Sequence, residues 1–212
     1  MNAPARTRTI APAWPLYLAA FAIAAVVAGA VGEAFSGGSL AELGIPDPGA
    51  ATTVGLPALR GVAWLLMALA TGSFLLSAFL IAPKQTQEDL NGARLTVDGH
   101  LASRTGAHAS AGIALIGLVM IPLVLSDVSG QPLNTVLFEA AAWSQALDQV
   151  ADARVWLIVA AFAAVVAAFG YAATSWWSQV WLFLGAIVVV MPIARTGHSA
   201  TGGAHDFGTN SL

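Results

Sequence analysis

Five long apolar runs alternate along the chain with polar connections rich in glycine and proline. The pattern predicts membrane-spanning helices at about 14–31, 57–82, 104–125, 154–173 and 176–194. Each approaches the roughly 20 apolar residues that a helix needs to cross a hydrocarbon layer about 30 Å thick. The first run, Trp14 to Val31, is followed by small residues, as a signal sequence would be. It is too long for most such regions and is expected to be an uncleaved helix. Within it Ala25/Gly29 and Ala28/Gly32 have the small-xxx-small spacing that lets another backbone approach closely. Pro57 stands where a helix start tolerates proline, and Pro83 closes the second run.

The connections differ in character. Residues 32–56 form a loop with Glu33, Glu42 and Asp47, and a short helical turn at Leu40 to Leu43 precedes the break at Pro46-Asp47-Pro48-Gly49. Residues 83–103 are charged and loop-like. In the acidic stretch 126–153, Val136, Ala140, Trp143, Leu147 and Val150 recur at alternating steps of four and three. That pattern predicts an amphipathic helix too polar to span, lying either in the membrane interface or against the other helices. A turn at Thr174-Ser175 leads to Trp176, Trp177 and Trp181, placed as an interfacial aromatic belt.

Composition turns these runs into a class. Of the residues 58% are hydrophobic and 9% charged, with a mean hydropathy of +0.77, whereas soluble domains carry roughly 25% charge. The expected fold is an all-α integral membrane protein: a polytopic bundle of about five transmembrane helices plus an outer interfacial amphipathic helix. It reads as one membrane domain over 1–212, whose polar tail, 195–212, leads towards a second half. The lipid bilayer is the expected partner and nucleic acid is not.

Charge then sets an orientation. With the N-terminus in the cytoplasm, the inner segments hold Arg6, Arg8, Lys84, Arg94 and Arg104, and the outer ones Arg60, Arg154 and Arg195. The excess inside favours a multi-pass protein of the bacterial plasma membrane with its C-terminal tail outside. Glu33, Glu42, Asp47, Asp127, Glu139, Asp148, Asp152 and Asp206 then also lie outside, making a negative mouth that concentrates cations. Arg60, just inside the outer end of its span, is expected to pair with Glu33 or Asp47, or with a lipid phosphate.

Candidate chemistry is sparse. There is no cysteine, so disulfides and thiolate sites are excluded. No nucleophile elbow, phosphate loop or HExxH pattern occurs, and no covalent chemistry is expected of the protein. The tail RTGHSATGGAHDFGTNSL carries His198 and His205 among glycines, with Asp206 placed to orient an imidazole. By spacing alone, two solvated loop histidines are the plainer reading. Met67, Met120 and Met191 fall in the outer halves of their spans, the last two just before prolines. Thioether and imidazole together suit Cu(I), although methionine is also a routine filler of packed helices. His108, one turn inside the third span, is either an axial haem ligand or a histidine bonded to a backbone carbonyl. His100 reads as solvated.

The tail resembles the copper-resistance D (CopD) family, in the actinobacterial form joined to a cytochrome c oxidase assembly (CtaG-like) module. The segments IPDPGAATTVGLPALR and LSDVSG carry the same resemblance, which extends over the whole chain. It implies a membrane protein that binds copper at its outer face, for import or for supply to oxidase assembly. It also implies His198 and His205 as the motif positions. Joined to the reading of the methionines, this has Met191 and Met120 hold Cu(I) lower down. Cytochrome c oxidase or its assembly factors are then the protein partners. In the family further spans follow the tail, so ligands from a second half are expected. Two rival readings stand beside it: a haem- or quinone-binding electron-transfer protein, and a structural subunit packed on a respiratory complex.

Overall fold

The computed structural model describes residues 14–36, 47–81 and 93–195. The expected turn at Leu40 to Leu43, and His198, His205 and Asp206 in the tail, lie outside the described residues. Eight α-helices appear among them: α1 (Trp14–Ser36), α2 (Ala50–Thr53), α3 (Gly55–Leu75), α4 (Val97–Ser129), α5 (Leu133–Phe138), α6 (Ala140–Gln149), α7 (Ala151–Ala172) and α8 (Trp176–Val190). A π-helical turn, Leu76–Leu80, prolongs α3, and a 3-10 turn, Met191–Arg195, prolongs α8. Five helices among the described residues are long and apolar enough to cross a membrane. The only β pairing there is an isolated bridge between Arg94 and Ser175. The molecule is therefore the helical membrane bundle that the hydropathy predicts.

Helix α4 corrects one boundary. The charged segment 83–103 reads as loop, yet the helix starts at Val97 rather than near Arg104. Local chemistry explains this. The Thr96 hydroxyl accepts the Gly99 N–H at 3.0 Å, and Asp98 sits in the first turn. A capping hydroxyl and a carboxylate both favour a helix start there, where hydropathy alone detects nothing. At the other end Gly130, with φ 65°, takes the left-handed conformation that ends a helix at little cost to glycine.

The core lies between α3, α4 and α7. Phe74 of α3 is fully enclosed, in a notch that two glycines open. A Cβ on Gly106 of α4 would stand 2.8 Å from Phe74 Cζ, and one on Gly170 of α7 would stand 3.3 Å from it. Further along the α4–α7 contact, a Cβ on Gly117 would meet the Ala160 Cβ at 2.9 Å and the Trp156 carbonyl at 3.0 Å. These gaps let helix axes approach closely, the main source of helix association where lipid removes the hydrophobic drive.

Helix α1 stands at the side of this core. It packs on α3 and α2, through the small residues picked out in its sequence. Gly29 faces Val54, Gly32 faces Pro57, and Gly61 of α3 faces Ala24 and Ala28.

The predicted amphipathic helix is two helices. Glu139, with φ −98° and ψ 96°, leaves helical geometry and separates α5 from α6. Val136 is buried, and Trp143 and Val150 pack on the core. The apolar stripe thus packs against α4 and α7.

Candidate functional site

Antiparallel packing gathers two ends. One end holds the start of α3, the close of α4, helices α5 and α6, and the start of α7. Because α8 runs back beside α7 after a tight turn, the Met191–Arg195 turn returns to this same end, with Ile193 buried in the core. The tail with His198 and His205 departs from there.

The polar groups of this end are organised. Arg60 Nη2 lies 3.5 Å from Asp152 Oδ2 at the start of α7, with the side chains 40% and 27% exposed. This corrects the expected partners, Glu33 and Asp47. Glu33 is exposed on α1, and Asp47 Oδ1 accepts the Gly49 N–H at 2.8 Å, closing the turn before α2. Asp152 wins because α7 brings its first turn alongside α3, a neighbour remote in sequence. Asp127, near the end of α4, interacts electrostatically with both members of the pair.

A second connection is buried. Thr52 and Ser126 share a hydroxyl contact of 2.7 Å, and Ser126 Oγ donates to the Gln131 carbonyl at 2.6 Å. A serine hydroxyl has one proton, so Thr52 must donate to Ser126. The chain Thr52→Ser126→Gln131 ties α2 to α4 and to the turn after it.

The methionines do not converge. Met120 has no exposed surface and belongs to the apolar core with Ile121, Leu123 and Val124. Met191 is 63% exposed, and its turn packs on α7 and α8 rather than on α4. Met67 is buried near the middle of the Ala50–Leu80 span. No group of three or more histidines and carboxylates capable of holding a metal occurs among the described residues.

At the opposite end, His108 Nδ1 lies 2.6 Å from the Arg104 carbonyl and its ring stands edge-on to Tyr171. This is the carbonyl-bonded arrangement foreseen as the alternative to haem ligation. His100 Nε2 accepts from Arg104 Nε at 3.4 Å, on the same helix two turns away. Trp176 anchors α8 to the π-helical turn, its Nε1 donating to the Ala78 carbonyl at 2.7 Å. The carbonyls of a helix's last turn have no partner within the helix, and the indole takes one.

Sequence reasoning passed over several buried polar groups. Gln179 is fully enclosed in α8, and among the described residues neither of its amide atoms has a partner, nor do the buried Ser103 Oγ and Trp156 Nε1. Each such group costs about 1–3 kcal/mol. A lone glutamine in WWSQVWLF was the visible signal for the first.

No curated protein and no solved structure matches the chain. A family match does occur, and its limits follow the architecture. It begins at Ala50, the first residue of α2, and so leaves out the peripheral helix α1, although the resemblance was expected over the whole chain. It runs on to Asp206, taking in the four tightly packed spans and both tail histidines. Over residues 50–206, most of its length, the chain matches the copper resistance protein D-like N-terminal domain, and it belongs to that family.

Proposed function

We propose that the protein captures copper at the end of the bundle from which the tail departs, for import or for supply to cytochrome oxidase assembly. The observation that carries this reading is the reach of the family match to Asp206, past His198 and His205. The surroundings support it. The tail leaves the end that holds Asp127, Asp152, Glu139 and Asp148, and a mouth of that sign raises the local cation concentration. In this reading that end faces outward, the N-terminus is cytoplasmic, and the membrane is the bacterial plasma membrane. Copper is cargo, and the protein performs no covalent step on it.

His198 and His205 take the ion, with Asp206 orienting one imidazole. Met191 supplies a thioether, because it is exposed and lies four residues before Arg195, where the tail begins. Met120 is left to packing, since reaching it requires opening the α4 core. A CtaG-like module beyond the tail would supply further ligands and the contact to oxidase assembly factors.

The test is Cu(I) binding by the purified protein against a chromophoric chelator, with metal analysis. The pair His198→Ala and His205→Ala should abolish binding while circular dichroism stays unchanged, and Met120→Leu should leave stoichiometry intact. Unaltered copper content in the double-histidine variant sinks the proposal. The absorption spectrum of the purified protein separates this reading from haem, which would add a Soret band.

A further inference from the structure

The end of the bundle remote from the tail carries a cation with no carboxylate partner among the described residues. Arg104 makes no ion pair with any described acid; the one such pair among the described residues joins Arg60 to Asp152. Its guanidinium lies over the Tyr171 ring, 5.6 Å from the centroid, and its Nε donates to His100 Nε2 at 3.4 Å. The two terminal amino groups, with four N–H donors, have no partner among the described residues.

The neighbours add donors on the same side. His100, Arg104 and His108 recur every four residues along one face of α4. A carbonyl can only accept, so His108 Nδ1 carries the proton given to the Arg104 carbonyl at 2.6 Å. That leaves its Nε2 edge without a partner among the described residues. The His108 ring meets Tyr171 at 5.2 Å, edge to face, and the phenol hydroxyl has no partner among the described residues. Arg104, His108 and Tyr171 thus present several hydrogen-bonding groups around one positive charge, and no acid.

The depth of this group is marked independently. Gly170 packs on Ala107, which sets Tyr171 level with His108. At the same end α8 begins with Trp176, Trp177 and Trp181, a ladder with ring separations of 5.9 and 6.2 Å. Trp177 and Trp181 are exposed. Indoles settle at the level of lipid headgroups. Helix length agrees: at 33 residues, α4 spans about 50 Å, against a hydrocarbon layer of about 30 Å. Its first turns therefore stand among headgroups and phosphates.

We propose that Arg104, His108 and Tyr171 form a binding site for the phosphodiester headgroup of an anionic membrane lipid. The guanidinium forks onto the phosphate oxygens, the geometry for which arginine is suited. Tyr171 fixes the guanidinium plane from below, and the His108 Nε2 edge and the phenol hydroxyl complete the cradle.

Native mass spectrometry of the full chain in detergent, titrated with phosphatidylglycerol or phosphatidylcholine, tests this. The wild-type protein should retain phosphatidylglycerol in preference. Arg104→Gln should weaken that retention about tenfold, the loss of one charge-assisted contact. Arg154→Gln, an exposed arginine at the other end, should leave it unchanged. Thermal melting by circular dichroism confirms that each variant is folded. Equal retention of the two lipids by the wild-type protein overturns the site, as does an equal effect of the two substitutions. Arg104-dependent binding of inorganic phosphate without lipid preference overturns the lipid assignment.

Discussion

The notch around Phe74 gives a prediction whose sign depends on the background. Truncation by Phe74→Ala removes an enclosed ring. In water, Phe→Ala in a core costs about 3–5 kcal/mol, part transfer and part cavity. In a bilayer the transfer part largely vanishes, because the unpacked helix meets lipid rather than water. What remains is the cavity term, about 24 cal/mol per Å³ over a void of about 100 Å³, or roughly 2.4 kcal/mol. Gly106→Ala alone is also unfavourable. Its Cβ would lie 2.8–3.0 Å from three ring carbons of a fully enclosed side chain whose Cζ also faces Gly170. Overpacking of this kind costs about 1–3 kcal/mol. With Phe74→Ala in place, the added methyl group enters the void and gains up to about 1 kcal/mol of helix propensity. The second substitution therefore changes sign, and a double-mutant cycle should show a coupling of about 2–3 kcal/mol. The assay is reversible unfolding by sodium dodecyl sulfate in mixed micelles, followed by far-ultraviolet circular dichroism. A cost of Gly106→Ala that is the same in both backgrounds refutes the reasoning, because it would mean that the glycine does not exist to admit this ring.

Three further outcomes follow from the polar ends. Ser126→Ala should cost more than Thr52→Val, because it strands both the buried Thr52 hydroxyl and the Gln131 carbonyl, whereas Thr52→Val leaves Ser126 bonded to Gln131; the difference expected in the same unfolding assay is about 1 kcal/mol, and the reverse order would refute the donor assignment. A cycle of Arg60→Gln and Asp152→Asn should give a coupling no larger than about 1 kcal/mol, since the pair is 3.5 Å apart and partly exposed; a value above about 3 kcal/mol would show a buried pair instead. Trp176→Phe should free the Ala78 carbonyl at the π-helical turn and lower stability by about 1 kcal/mol, visible as a reduced midpoint; an unchanged midpoint would mean that lipid or water satisfies this carbonyl equally well.

Much of the bundle was legible because bilayer physics writes itself into sequence. Unpaired backbone groups are forbidden in hydrocarbon, so a spanning segment must be a long apolar helix, and hydropathy finds it. The small residues of α1 are legible for the same reason: Gly29 and Gly32 sit where another backbone must come close. The start of α4 was missed because capping by Thr96 is a matter of two or three residues, beneath the resolution of a hydropathy window. The amphipathic stripe from Val136 to Val150 was seen, but not its break at Glu139. As for the candidate site, His198 and His205 lie outside the described residues, and the family match covers both without assigning either a role.

The sequence by itself thus determined the class and the number of spans, and it singled out the tail histidines as candidates for chemistry. All of these depend on composition, periodicity or a short contiguous motif. Only the tertiary structure decided which groups meet across the bundle. It gave Arg60 to Asp152 rather than to a nearer acid, set Phe74 between Gly106 and Gly170, and laid Arg104 over Tyr171. It also placed Met120 in the core and Met191 outside it. The physical reason is common to all of them. A helix fixes the direction of a side chain relative to its own axis, but its partner is chosen by the rotation and depth at which two helices pack. Those are properties of two distant segments together, and neither carries them alone.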